Sequence, residues 1–336
     1  MKRPTIADIA REAGVSKGAV SYALNDRPGV SEATRARILA IAERLGFRAS
    51  AAARALAGAP AYVVGLALRR PAGTLGVEPF FMELISGLEA ELATRSYALL
   101  LQMVPENDAD AEFEVYRQWW VEGRVDGVLL CDLHADDPRV PAIERIGVPA
   151  VAIGPPSAGG GLATLWSDDA VAAATAVEYL TGLGHRRLAR VAGLPGLART
   201  AARTRAFAEL GLTEEMTVFT DYSGEAGARA TRGLLDGDAR PTAIVYDNDI
   251  MAIAGLSVAR ERGLDVPAEL SIVAWDDSPM CGLVHPPLTA LARDIYTYGA
   301  HAARLLLAVI AGERVGARLD EPARLLVRGS TAPPSR

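Results

Sequence analysis

Lys17, Gly18, Ser21 and Tyr22 fall on one outward face if residues 16–24 are helical, and that face carries the chemistry of base reading. Lys17 can donate to guanine acceptors or to a phosphate. Tyr22 can make polar contacts and touch a thymine methyl. Thr5, Ser16, Asn25, Ser31 and Thr34 are short hydrogen-bonding residues near expected helix N-termini, where phosphates bind and fix the register of a head on DNA. A second set lies further along the chain. Tyr222, Asn248 and Asp276 each follow a strand-like run, Arg203 is expected to open a helix after another, and Phe80 begins the first long helix beyond residue 60. Carboxylate and guanidinium groups can grip vicinal hydroxyls through charge-assisted bonds, and aromatic rings cover the apolar face of a sugar or base. Asp249 reads as an N-cap, Asp277 as structural and Phe81 as core.

Catalytic readings of the same chain fail on spacing. His134, His185, His285 and His301 show no metal-ligand pattern such as H-E-x-x-H. Gly14, Ser16 and Gly18 match the G-x-S-x-G pattern of a hydrolase nucleophile, but a helix leads into Ser16 where that motif needs a strand. Gly159-Gly160-Gly161 is followed by a strand-like run, so it is not a phosphate-binding turn, and no Walker motif is present. Asp276 and Asp277 are sequence neighbours whose side chains point apart, which excludes a shared proton. Cys131 and Cys281 allow neither a disulfide framework nor a cysteine zinc site and read as ordinary thiols of a cytoplasmic protein. Neither an enzyme nor a cofactor is expected.

The elements that must hold these groups follow two grammars. Residues 1–48 read as helices with short breaks, Thr5, Ser16 and Ser31 serving as N-caps and Gly14 and Gly46 as stops. The three-residue connection at Gly14 joins two helices in the helix-turn-helix manner. Residues 49–60 are alanine-rich, then broken by Gly58 and Pro60, and read as a linker that becomes helical when packed. From Tyr62, apolar runs at 62–68, 97–103, 127–131, 150–153, 188–192, 217–220, 243–246 and 271–275 alternate with helical stretches at 79–95, 169–183, 203–210, 225–235 and 249–262. Such alternation means parallel sheets covered on both faces, with ligands outside the carboxyl ends of the strands. The tail from Thr331 is expected to fray.

Charge separates the same two regions. Residues 1–60 carry ten Lys and Arg against five Asp and Glu, whereas the whole chain of 336 residues has a net charge of -6. A basic head on an acidic body suits a polyanion at the head. No apolar run reaches membrane-spanning length, and the N-terminus lacks the apolar stretch of a signal peptide.

The stretch from Thr5 to Gly58 resembles the head and hinge of LacI/GalR-type (lactose-repressor-like) bacterial regulators. The likeness continues through Pro79-Phe80-Phe81, Val125-Asp126-Gly127, Gly184-His185-Arg186-Arg187, Asn248-Asp249, Trp275-Asp276-Asp277 and Pro286-Pro287-Leu288-Thr289. The resemblance implies an all-α helix-turn-helix head at 1–48, a hinge helix within 49–60, and an α/β body at 61–336. That body would have two doubly wound lobes of periplasmic-binding-protein type: 61–162 with 293–320, and 163–292 with 321–331. It places Lys17, Gly18 and Tyr22 where the family reads bases, puts Ala53 in the DNA-contacting hinge, and makes Leu56 the wedge pushed into the minor groove. It adds Leu197, Arg199 and Arg293 to Phe80, Arg203, Tyr222, Asn248 and Asp276 as effector contacts. Three departures stand out. Gly18 lacks the side-chain donor often found there, and Tyr22 stands where arginine is common, so an operator cannot be borrowed from better-known members. Glu78 stands where asparagine is frequent, and its carboxylate would suit an amine or a polyol, or face solvent. The expected protein is a homodimeric repressor that binds a pseudo-palindromic double-stranded operator and answers to a small hydroxylated effector, a sugar or a relative of one. The alternative is a sugar-binding protein without a DNA function.

Overall fold

The computed structural model describes residues 4–24, 27–47, 59–70, 76–105, 110–212 and 214–335. The chain divides into two compact units, with the main boundary between Ala61 and Tyr62. Among the described residues the head has three helices: α1 (Ile6–Ala13), α2 (Lys17–Leu24) and α3 (Glu32–Arg44). Their limits are set by local chemistry. The Thr5 backbone N–H donates to the Asp8 carboxylate at 2.9 Å, and the Asp8 N–H returns a bond to Thr5 Oγ1, forming a capping box. Gly14, left-handed at φ 64°, closes α1. Ser16 Oγ accepts from the Ala19 N–H and starts α2, and Ser31 caps α3. Ile9, Ala10, Ala13, Val20, Ala23, Ile38 and Ala42 form a small buried core. Leu39, on the apolar side of α3 by spacing, is exposed.

The body contains two six-stranded sheets in one unit. The first is built from β1 (Val63–Arg69), β2 (Ala98–Val104), β3 (Gly127–Leu130), β4 (Ala150–Ile153), β5 (Ala163–Trp166) and β11 (Ala317–Leu319), in the order β11-β5-β4-β3-β1-β2 and wholly parallel. The second comprises β6 (Leu188–Ala192), β7 (Thr217–Phe219), β8 (Ala243–Tyr246), β9 (Ser271–Trp275), β10 (Thr289–Ala292) and β12 (Arg324–Leu326). Its order is β12-β10-β9-β8-β6-β7, with only β12 antiparallel. Between the strands of the first sheet run α4 (Pro79–Ala93), α5 (Ala111–Val121) and α6 (Arg139–Ile146). Next come α7 (Asp169–Gly182), α8 (Ala198–Glu209), α9 (Gly224–Asp236), α10 (Asp249–Glu261), α11 (Pro279–Leu283) and α12 (Ile295–Ile310). The inner strands β3, β4, β6, β8 and β9 are buried at every residue, which is why they read as unbroken apolar runs.

The chain crosses between the lobes three times, after β5, after β10 and after β11. The first crossing follows Trp166, not residue 162 as the sequence suggests, because β5 pairs with β4 and belongs to the first lobe. Two glycines set the packing of that lobe. A Cβ at Gly87 on α4 would stand 1.8 Å from the Tyr296 carbonyl oxygen, and one at Gly299 on α12 would stand 2.2 Å from that of Leu84. Only glycine lets these helices approach so closely. The tail is held rather than frayed: the Ala332 carbonyl accepts from the ring of the buried His185 at 2.9 Å, and the Ala332 N–H donates to Ser271 Oγ. Among the described residues no helix is long and apolar enough to cross a membrane.

Candidate functional site

On the head, the face expected to read DNA is open. Lys17, Gly18 and Tyr22 are exposed on α2, and Ser21 beside them is partly covered. A Cβ at Gly18 would meet only Ser16 Oγ, at 3.7 Å, so the fold does not require glycine there. Thr5, Ser16, Ser31 and Thr34 stand at the starts of the three helices, as their types predict. Asn25, Ala53, Leu56 and the hinge around them lie outside the described residues.

In the body, the carboxyl ends of the strands of both lobes converge on a cavity of about 290 Å³. Its lining includes Glu78, Pro79 and Phe80 from the start of α4, Asp168 and Asp169 from the start of α7, Arg199 and Arg203 from α8, Tyr222, Asn248 and Asp249, Asp276, and Arg293. Tyr222 and Asp276 both adopt left-handed backbone, at φ 70° and 66°. Strain of that kind persists where packing over-determines a residue, commonly at binding sites. Gly193 makes room for the Tyr222 ring, which would lie 1.8 Å from any Cβ placed there.

Ion pairs organise the charges. Asp132 at the end of β3 takes Arg70 at 2.8 Å and, across the lobes, Arg199 at 2.7 Å. Burial alone would raise the Asp132 pKa, but Arg199 and Arg70 together pull it well below the usual carboxylate range. Arg199 also stacks over Phe80 and Tyr222. Arg203 donates to Asp169 at 3.0 Å and to the Asp247 carbonyl, with its guanidinium 3.8 Å from the Trp275 ring centre. Beneath them the fully buried Arg190 and Asp247 form a two-armed pair at 2.8 and 2.6 Å. Three other carboxylates behave differently. Burial raises Glu78 to about 7, against the pull of Arg70, and raises Asp249 to about 6; Asp276 is raised by burial despite Arg293, Arg203 and Arg199.

Seven of the eight residues expected around an effector line this cavity: Phe80, Arg199, Arg203, Tyr222, Asn248, Asp276 and Arg293. Leu197 does not. It is buried in the core of the second lobe and bridges to His134 of the first. Several details differ from the sequence reading. Arg203 sits within α8, not at its start, because the helix begins five residues earlier at Ala198. The N-cap of α10 is Asn248, whose side-chain oxygen accepts from the Met251 N–H while its amide donates to the Tyr222 carbonyl. Asp249 follows it and lines the cavity. Asp277 is structural, held by both arms of Arg328. Phe81 is core at 1% exposure, although it also borders the cavity. Sequence reasoning missed Arg70 and Asp132, yet each follows a run that was read as a strand, so the strand-end rule could have found both.

The likenesses to known proteins follow the same division into head and body. Residues 5–50 match the family of bacterial regulatory proteins, lacI family, and residues 177–331 match the periplasmic binding protein-like domain. The chain is 31% identical to Catabolite control protein A of Priestia megaterium, over 97% of this chain and 99% of that one. The chain belongs to the LacI family of transcriptional regulators. Among solved structures, the transcriptional regulator CelR–cellobiose complex shares 28% identity and superposes with a TM-score of 0.74, covering 98% of this chain and 100% of that one. The lac repressor dimer bound to operator and the anti-inducer ONPF shares 25% identity with a TM-score of 0.81 and the same coverage. The fold of this LacI-family regulator is thus that of lac repressor, with a DNA-binding helix-turn-helix head and two periplasmic-binding-protein-like lobes.

Proposed function

We propose that this regulator is a homodimeric repressor. In this reading two heads grip a pseudo-palindromic double-stranded operator, and a small hydroxylated effector in the cleft controls their affinity. The observation that carries the reading is the cleft itself: a partly open space between two lobes, lined by aspartates, arginines and aromatic rings at strand ends. Asp276 and Arg293 carry the hydroxyl contacts: Asp276 Oδ1 has no partner in the protein, whereas Arg203 holds Asp169 and the Asp247 carbonyl, and Asn248 caps α10. Phe80 and Tyr222 cover the apolar face of the ligand. Lys17, Ser21 and Tyr22 read base edges. Thr5, Ser16, Ser31 and Thr34 set the register on phosphates, and Gly18 lets the groove wall come close. Asn25, Ala53 and Leu56 complete the interface in this reading. The CelR–cellobiose and lac repressor–operator structures support the two ligand classes, and the match of residues 5–50 disfavours a sugar-binding protein without DNA.

Effector and operator are then linked ligands, each changing the affinity of the other by the same factor. The test is a fluorescence-anisotropy titration of the full chain on palindromic DNA flanking its gene. Lys17→Ala and Tyr22→Ala should lose specific affinity more than nonspecific affinity, and Asp276→Ala should keep operator binding while losing the response to effector. Equal loss on both DNAs contradicts the assignment of α2. A normal effector response in Asp276→Ala contradicts the assignment of the cleft.

A further inference from the structure

Three carboxylates of the cleft each have an oxygen that no protein group satisfies, although the buried Arg70 Nη2 and the Ser278 hydroxyl also close no hydrogen bond. Glu78 Oε2, Asp249 Oδ2 and Asp276 Oδ1 are buried without a hydrogen-bond partner, and all three residues line the cavity. Asp249 is only 4% exposed. An ionised carboxylate accepts and never donates, and no hydrogen bond joins these three groups to one another. The neighbouring arginines are committed elsewhere: Arg70 and Arg199 to Asp132, and Arg203 to Asp169. Arg293 stacks on Tyr298 and faces Asp276. Glu78 and Asp249 remain, each raising the energy of the other's charge. A buried carboxylate without a donor is costly, and a ligand that brings the donor recovers that cost on binding.

We propose that the effector carries a protonated amine and that Glu78 and Asp249 recognise it. The ligand class is an amino sugar or amino-polyol rather than a neutral hexose. This rests on the cleft reading above, with the hydroxyls of the same ligand on Asp276 and Arg293. An ammonium supplies three donors and a full positive charge in the space of a hydroxyl, which has one donor and no charge. Glu78 faces Arg70, Arg199, Asp132 and Asp249, and Asp249 faces Asp276 and the Ser278 hydroxyl, which stands near it without closing a hydrogen bond. Both carboxyls are partly protonated near neutral pH in the empty cleft, so capture of a cation drives protons off them. Affinity for an amine that stays fully protonated across this range therefore rises from pH 6 to pH 8.

The experiment is isothermal titration of the full chain with matched probes. These are D-glucosamine, D-glucose and N-acetyl-D-glucosamine, the corresponding galactose set, and 1-amino-1-deoxy-sorbitol beside sorbitol. At pH 7.5 an amine should bind about tenfold or more tighter than its neutral partner, the scale of one charge-assisted contact. With 1-amino-1-deoxy-sorbitol, whose aliphatic ammonium keeps its proton at this pH, binding should release protons, seen as a heat that varies with the ionisation enthalpy of the buffer. Glu78→Gln and Asp249→Asn should each remove the preference, and both keep the side-chain volume. A neutral or N-acetylated probe that binds as tightly as its amine overturns the proposal. If Asp276→Ala also abolishes binding of that neutral probe, the cleft reading survives the loss of the amine. Absence of binding by every probe contradicts both.

Discussion

Asp247 and Asp249 stand two residues apart after β8, and both are almost fully buried, yet their chemistry is opposite. Asp247 receives both arms of Arg190 and the Gly193 N–H at 3.1 Å. Burial pushes its pKa up, but Arg190 and Arg203 more than reverse this, so it stays ionised. Asp249 has an oxygen with no partner, and burial carries it up to about 6. Burial of a charge does not by itself mark a site. What distinguishes the two is whether the protein supplies the partner. Arg190–Asp247 is a closed pair that holds β6 against β8 under the cleft. Glu78, Asp249 and Asp276 are left open at the cleft wall for something that comes from outside.

The contrast is broken most severely by Asp247→Ala. It strands Arg190, whose side chain has no access to solvent, and should cost about 3–5 kcal/mol in a denaturant melt. A loss below 1 kcal/mol would show that the pair is not closed. Asp249→Asn should act in the other direction. The Asp249 pKa is raised on folding, so the folded state binds the extra proton and stability falls as pH rises from about 4 to about 6. Asparagine removes that fall, so the variant gains on the order of 2 kcal/mol above pH 6 and nothing below pH 4. Glu78→Gln should behave alike but less strongly, since Glu78 is partly exposed. The gain is about 1 kcal/mol at pH 8, absent at pH 4.5, read from paired thermal melts. The smallest effect tests the same idea on the head. Gly18→Ala meets only Ser16 Oγ, in ordinary van der Waals contact, and should raise stability by about 0.5 kcal/mol. A drop in operator affinity would then report contact with DNA alone.

The head was legible because its determinants are local. Thr5, Ser16 and Ser31 cap within three residues of where they stand, and Gly14 ends α1 by its own conformation. The inner strands were legible from their unbroken apolar runs. Three strands escaped notice: β10 is an inner strand whose Thr289–Ala292 span holds one large apolar residue, whereas the edge strands β11, exposed throughout, and β12, with one partly buried residue, have no pattern of their own. Five residues of α8 were missed because Ala198–Ala202 has too few large apolar residues to show a period. In the cleft, residue type at a strand end placed Asp276, Tyr222 and Asn248. The partners that decide the chemistry of the buried aspartates come from far away in sequence: Arg199 from the other lobe for Asp132, Arg190 for Asp247, and none for the Oδ2 of Asp249. The resemblance placed Leu197 beside Arg199 among the effector contacts without revealing that its side chain lies in the core of the second lobe.

The most direct measurement follows the two carboxyls themselves. Selective ¹³C labelling of aspartate carboxyls, with Asp249→Asn as the assignment control, allows both to be titrated by NMR in the full chain without effector. Asp249 should titrate near pH 6, while Asp247 stays ionised down to the point of acid unfolding. A normal, low titration of Asp249, or a shared titration of the two, would contradict the division into a closed structural pair and an open binding group.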